Sequence, residues 1–296
     1  DFDADAIWLE GAYAGRVAQN LARDLQRPLF VRSHNIEHLY AARQGRKAGS
    51  WAERLKWSGQ LKALQRLETR TLAAANAFFD ISVDDLAWWS SRGMTRGHWL
   101  PPIVDESQAR RLAAPPAPGE RTHDVGYLGN LATPNNVEGV LWFLAEVMPR
   151  LRAARSDLKV FIAGSTPRSE IVAACQKAAV DLIPDATDAV AVQRRARVLV
   201  NPVFFGSGVN VKSVDMLLSG AHPVSTPQGL AGFPPMVKAE FAVAAEAGPF
   251  SDAILAQLAG PDLLVASASR EHARSLFGPA SVVDALKVVR HFVRRP

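Results

Sequence analysis

Short apolar runs alternate with longer stretches of helical period along this chain. Residues 6–10 (AIWLE), 28–33 (PLFVRS) and 78–82 (FFDIS) read as strands, with 98–100 a short fourth. Residues 17–25, one or two long helices over 40–75, and 84–91 fill the intervals. From residue 123 the alternation is more regular. Strands are expected over 123–128, 158–163, 180–183, 197–203 and 221–225. Val137, Val140, Leu141, Leu144, Val147, Met148 and Leu151 recur at the spacing of one helix face. Further helices are expected over 170–178, 186–195 and 209–219. The last one, over 281–294, carries Val282, Val283, Leu286, Val289 and Phe292 on one side. The strands are too apolar for burial on one face only. They imply parallel sheets covered on both faces, and right-handed crossovers then make them doubly wound.

Residues 105–121 (DESQARRLAAPPAPGER) lack a periodic apolar face and read as a linker. The expected domains are therefore 1–104, 122–276, and a terminal helix over 277–296 that packs back on the first. About a hundred residues precede the linker and about one hundred and fifty follow it. A first doubly wound domain of that size lacks its opening strands and glycine loop, so it is expected to be incomplete at its start.

Composition narrows the class. With 48% hydrophobic and 21% charged residues the chain is an ordinary globular one. It contains no apolar run near the ~18–20 residues that a transmembrane helix needs. The single Cys175 has no internal disulfide partner and sits in a helical pattern, which suits a core position and a reducing, cytoplasmic compartment. The net charge is +5. No zinc-finger spacing, RNA-binding aromatic signature or helix-turn-helix accompanies it, so nucleic acid is not the expected partner. Arg43, Arg46, Lys47, Arg54, Lys56, Lys62, Arg66 and Arg70, interleaved with Trp51 and Trp57, fit an anionic membrane surface. They fit equally a solvated basic face with core tryptophans, the simpler reading.

The stretch 197–226 holds the densest chemistry. Gly206 and Gly208 let the backbone turn tightly after a buried strand. The N–H groups around 206–209, at the start of the next helix, make an anion site. Lys212 reaches that anion from the first turn, and Asp215 lies three residues on, on the same face. Gly220 reads as the helix C-cap. A cation and a carboxylate beside a glycine loop suit a diphosphate and a ribose diol. The plain alternative is a turn beside a solvated Lys212–Asp215 pair. Glu10 and His34 each end a strand at its carboxyl side, where open α/β sheets bind ligands. His34 and Asn35 are also placed to cap the following helix. Residues 228–233 (QGLAGF) form a second glycine loop, either a turn or a border of the site. No Gly-x-Gly-x-x-Gly opens a helix, which sets aside a nicotinamide dehydrogenase, and no His/Cys cluster has metal-ligand spacing.

The glycine loop, the acid-bearing helix and the strand Ser219-Gly220-Ala221-His222-Pro223-Val224 together resemble the donor segment of retaining glycosyltransferases of GT-B architecture, the large group 1 (family 4-like) family. SHNIEHLYAAR, the later Glu68 and FFDISVDDLAWW resemble the N-terminal domain of one branch of it. The resemblance implies two Rossmann-like domains with a nucleotide-diphosphate sugar in the cleft between them. It implies metal-independent sugar transfer with retention, no cofactor, and a saccharide or lipid-linked acceptor in surface polysaccharide synthesis. It also implies an enzyme that is cytoplasmic or peripheral at the inner face of the membrane. Of the family's two glutamates eight positions apart, the second falls on Asp215 and the first on Ser207, which is not acidic. Its phosphate-gripping loop falls on GNLATPNN, starting at Gly129 and Asn130 without Arg or Lys. Lys212 and the backbone at Gly206, Ser207, Gly208 and Val209 are left to hold the diphosphate. The base falls near Ile183, and His34 or Glu10 contacts sugar or acceptor. A sugar-nucleotide epimerase and a non-catalytic sugar-nucleotide binder are the competing readings.

Overall fold

The computed structural model describes residues 4–45, 51–206, 208–260 and 268–293. The chain forms two compact units. Unit 1 comprises Asp1–Pro102, Ser207–Val209 and Pro279–Pro296, and unit 2 comprises Ile103–Gly206 and Asn210–Gly278.

Unit 1 is built on a four-stranded parallel sheet, β1 (Ile7–Glu10), β2 (Leu29–Ser33), β3 (Ala77–Asp80) and β4 (Gly97–Trp99), in sequential order. Its helices are α1 (Gly15–Asp24), α2 (Glu37–Gly45), α3 (Trp51–Ala74) and α4 (Val83–Ser90). Adjacent residues on the central strands are buried in opposite directions. Val31 and Phe78 join one core cluster with Leu9, Leu72 and Trp89. Phe30 and Phe79 join another with Leu100. Two-sided burial explains why these strands read as unbroken apolar runs. Val282, Ala285, Leu286 and Val289, near the end of the chain, cover the second cluster. Gly15 is the contact point of α1 and α3, since a Cβ there would fall 2.0 Å from the Thr71 hydroxyl. Of the basic residues read from 40–75, Lys62, Arg66 and Arg70 are exposed. The side chains of Arg43, Arg46, Lys47, Trp51, Arg54, Lys56 and Trp57 lie outside the described residues.

Unit 2 begins with a correction. Residues 105–121 contain a helix, α5 (Glu106–Ala113), capped by the Asp105 carboxylate and anchored by buried Leu112. One buried side chain in eight residues leaves no periodicity to read. The unit then runs β5 (His123–Leu128), α6 (Pro134–Trp142), a π-helical segment Phe143–Val147, α7 (Met148–Ala154), β6 (Val160–Gly164), α8 (Ser169–Lys177), β7 (Asp181–Pro184), α9 (Ala189–Arg194), β8 (Ala196–Asn201), α10 (Val211–Leu218), β9 (His222–Ser225), α11 (Pro235–Lys238), β10 (Ala242–Val243), α12 (Ala247–Ala259) and α13 (Ala268–Ser275). The expected single helix over 137–151 is thus interrupted by a π segment. The chain ends on α14 (Pro279–Leu286) and a 3₁₀ turn, Lys287–His291, where one continuous helix was expected.

All strands of the second sheet are parallel, in the order β10-β9-β8-β5-β6-β7. After β5 the chain adds β6 and β7 on one side, then crosses to add β8, β9 and β10 on the other. The carboxyl ends of β5 and β8 are therefore the switch point, where open α/β sheets carry their ligand crevice. The second glycine loop begins as a 3₁₀ turn, Pro227–Leu230. Gly229 is buried, and its carbonyl accepts the Ser213 hydroxyl at 2.8 Å.

The Gly220 cap is also corrected. Helix α10 ends at Leu218, and Ser219 takes the cap position in extended conformation. The carbonyls at this end are satisfied from a distance. Arg274 donates to Leu217 and Ser219 O at 3.0 and 2.8 Å, and Arg270 donates to Ser219 O at 3.1 Å.

Candidate functional site

Two loops meet the switch point of unit 2, the one after β5 and the one after β8. The first is drawn tight by its own polar groups. The Asn130 side chain accepts the Ala132 N–H at 2.8 Å, and Asn136 Nδ2 donates to the Asn130 carbonyl at 2.8 Å. Arg168, from the loop after β6, donates to the Ala132 carbonyl at 2.7 Å. This brings a cation to a loop whose own sequence has none. Gly164 allows the approach, since a Cβ there would sit 1.7 Å from the Gly129 carbonyl oxygen. Gly129 in turn has no room for a side chain, because a Cβ would lie 2.6 Å from the Tyr127 hydroxyl.

The second loop carries Gly206 at φ +152° and Gly208 at φ +66°, the latter a conformation that favours glycine. Ser207 lies outside the described residues. Val209 and Asn210 are not yet helical, so α10 starts two residues later than the sequence suggested. The N-cap side chains Thr133 of α6 and Asn210 of α10 make no cap hydrogen bond. The cap carbonyls still take part of each first turn: Thr133 O accepts the Asn136 N–H at 3.1 Å, Asn210 O accepts the Ser213 N–H at 2.9 Å, and Pro134 has no N–H to offer. Helix α6 packs directly on the start of the second loop, where a Cβ on Gly139 would fall 2.3 Å from the Pro202 carbonyl oxygen.

Lys212 links the two loops. Its Nζ donates to Tyr127 Oη at 2.9 Å and to Asn136 Oδ1 at 2.6 Å, and it stands 4.7 Å from the Tyr127 ring centroid. Neither partner is charged. Burial lowers the Lys212 ammonium from its ordinary value to about 7 and pushes the Tyr127 phenol up. Asp215 points elsewhere, which corrects the shared-face expectation and removes the solvated Lys212–Asp215 pair. Its carboxylate accepts Gln108 Nε2 at 3.2 Å and is also bonded by Gln193. Burial raises it to about 6, against the lowering effect of those amides. Ile183, in β7, pairs with Ala163. The turn after it is fixed by Asp185, whose N–H reaches the Gly164 carbonyl at 3.0 Å and whose carboxylate accepts the Thr166 N–H at 2.9 Å.

In unit 1 the structure brings His34 and Glu10 together. His34 Nε2 is 3.4 Å from Glu10 Oε2, Trp8 Nε1 donates to Glu10 Oε1 at 2.8 Å, and Arg32 lies 3.9 Å away. His34 and Asn35 do not cap α2. The N–H groups of Glu37 and His38 go to the Glu68 carboxylate instead. Asp80, at the carboxyl end of β3, is fully buried and pushed up to about 8, first by desolvation and then by the charge of Asp85.

Of the residues proposed from the sequence, Gly129, Asn130, Gly206, Gly208 and Lys212 lie around the switch point and Glu10 and His34 meet in unit 1, while the neighbours of Lys212 and Asp215, namely Tyr127, Asn136, Gln108 and Gln193, were not singled out. Tyr127 and Asn136 lie 85 and 76 residues from Lys212, and nothing local announces them. Gln108 had a readable sign, because it stands three positions after the capping Asp105, the spacing of a capping box.

Residues 122–259 match the family described as "Glycosyl transferases group 1". The chain is 25% identical over 240 residues to the "Uncharacterized 44.6 kDa protein in cps region" of Klebsiella pneumoniae, an alignment covering 77% of this chain and 58% of that protein. Among solved structures it resembles TarM, at TM-score 0.64 and 10% identity over 95% of this chain and 54% of TarM. It also resembles Anabaena Alr3699/HepE in complex with UDP and glucose, at TM-score 0.62 and 12% identity over 96% and 77% of the two chains. The chain thus spans little more than half the length of the first two of these. The two parallel sheets match the α/β fold of GT-B glycosyltransferase structures. Among the described residues no helix is long and apolar enough to cross a membrane.

Proposed function

We propose, on the premise that residues 122–259 belong to the group 1 glycosyl transferases, that this chain moves a sugar from a nucleotide-diphosphate sugar to a saccharide or lipid-linked acceptor, with retention, in surface polysaccharide synthesis. The observation that carries the reading is Lys212, held among the described residues by the neutral side chains of Tyr127 and Asn136 at the switch point, beside the first turns of α6 and α10. Such a site is short of negative charge, which a diphosphate supplies. As the sugar–phosphate bond breaks, charge grows on the leaving diphosphate, and fixed positive groups stabilise that growth. Gln108 and Gln193 hold Asp215 for a ribose diol. The Glu10–His34 pair of unit 1 serves the sugar or the acceptor. UDP is the favoured base carrier because HepE was solved with it, and the cps location of the Klebsiella relative supports the polysaccharide setting. The exposed cations Lys62, Arg66 and Arg70 are consistent with peripheral contact with an anionic membrane.

A thermal-shift screen with UDP, GDP, ADP and their glucose conjugates tests the binding half. One nucleotide and its sugar should raise the melting temperature by mass action, and the others should not. Chromatography of the bound donor tests the chemistry. Release of free nucleoside diphosphate supports transfer. Conversion to an isomeric sugar nucleotide without release means an epimerase, and an unchanged donor means a binding protein.

A further inference from the structure

Helix α2 begins just after the turn that carries His34, and its first-turn donors are satisfied from another helix. Ile36, the residue before α2, has no side-chain acceptor to offer. Instead Glu68, from α3, accepts the Glu37 N–H at 2.7 Å, the His38 N–H at 3.0 Å and the His38 Nδ1 proton at 2.5 Å. Glu68 is only 2% exposed. A buried carboxylate bonded to so many donors is fixed in place, and breaking such a group free is costly.

The part of α3 that presents Glu68 is packed into the unit. One turn along α3, Thr71 is wholly buried against Gly15 of α1, and Leu72 and Ala75 lie in the core. The imidazole of His38 is enclosed by Trp88 and Trp89, at ring-centroid distances of 5.3 and 6.1 Å. On the other side of the turn, Ser33 Oγ donates to the Asn35 carbonyl at 3.0 Å. The Tyr13 hydroxyl, from the loop after β1, donates to the Glu37 carboxylate at 3.0 Å. Residues 33–38 are thus held at both ends, and His34, partly exposed between them, meets Glu10. A local Ser or Asp cap would satisfy α2 alone. A carboxylate from α3 also ties the His34 turn to the body of the unit.

We propose that Glu68 is a positioning residue for the Glu10–His34 pair, holding the first turn of α2 so that the imidazole stays aligned on the carboxylate. This rests on the transferase reading above, and the test separates the two.

Glu68→Gln keeps the shape and one acceptor oxygen but replaces the other with an amide that cannot accept. Turnover should fall roughly 10- to 100-fold, the scale of a misplacement near 1 Å, while UDP affinity, a property of unit 2, stays within about twofold. In a His34→Ala background the same substitution should add no further loss. A loss that multiplies instead overturns the proposal, because Glu68 would then act independently of His34. Two readouts need no activity. In Glu68→Gln, the amides of 36–40 should gain more exchange with solvent than those of the unit 1 strands, and the His34 ring-proton resonance should move toward its position in Glu10→Gln. Unchanged exchange and an unmoved resonance overturn the proposal even if no donor is ever turned over. Should Glu68→Gln fail to fold, Ser33→Ala loosens the opposite side of the same turn. Its smaller loss must likewise vanish in the His34→Ala background, and a loss that persists there counts against the inference.

Discussion

Lys212→Met will sharply reduce the thermal stabilisation that UDP gives the parent chain, without destabilising the unliganded protein near pH 6. Both halves follow from the lysine's surroundings. Its Nζ is held by the Tyr127 hydroxyl and the Asn136 amide oxygen and faces no carboxylate. Removing a charge-assisted hydrogen bond to the diphosphate costs about 1.5–3 kcal/mol, or roughly 10- to 150-fold in affinity. The unliganded form loses an unfavourable group. Burial lowers the ammonium from 10.5 to about 7, so between those values the unfolded chain binds the proton and the folded chain does not. Stability then rises with pH across that window, and the cost of the buried charge is fully present below it. A methionine carries no such cost. Melting curves of both proteins at pH 6 and 8, with and without UDP, check the prediction. A variant that keeps its UDP shift removes Lys212 from the site.

Gly139→Ala should destabilise unit 2 strongly for a single added methyl group. The added Cβ would meet the Pro202 carbonyl oxygen at 2.3 Å and its carbon at 2.9 Å, both backbone atoms that cannot turn aside. Helix α6 must then lift from the start of the second loop. Overpacking of this kind costs about 1–3 kcal/mol, or roughly 3–10 °C in melting temperature for a unit of this size. Because Asn136 rides on α6 and holds both Lys212 and the Asn130 carbonyl, nucleotide affinity should fall with it. Gly248→Ala is the control, since a Cβ there meets nothing within 4 Å. It lies in α12, where alanine is the better helix former. Equal effects of the two substitutions would show that the α6 contact is not the cause.

The parts of the fold that could be read in the chain were those set by local pattern. FVR, FFD, FIA and LVN are strands because both faces of their sheets are covered, and unbroken apolar runs record that directly. Helix α5 escaped because Leu112 is its only buried side chain, although Asp105 and Gln108 carried the capping spacing that would have placed it. Gly220 looked like a cap because glycine so often ends a helix, yet Arg270 and Arg274, more than fifty residues away, do the work. The site divided in the same way. Glycines and Lys212 stood out by their spacing after a buried strand. Their surroundings did not, because Tyr127, Asn136 and Gln193 meet the site only through the sheet order β8-β5-β6. Glu68 was visible only as part of a resemblance, and its three bonds to α2 needed coordinates.

Calorimetric titration with UDP at pH 8, in two buffers of different ionisation enthalpy, decides whether the diphosphate seats on Lys212. At that pH the phosphates are already ionised, whereas Lys212, at about 7, is mostly neutral. If the diphosphate seats on this lysine, the ammonium is restored and about one proton is taken up per UDP bound. The uptake disappears in Lys212→Met. UDP binding with no proton uptake, or uptake that survives the substitution, would contradict the account.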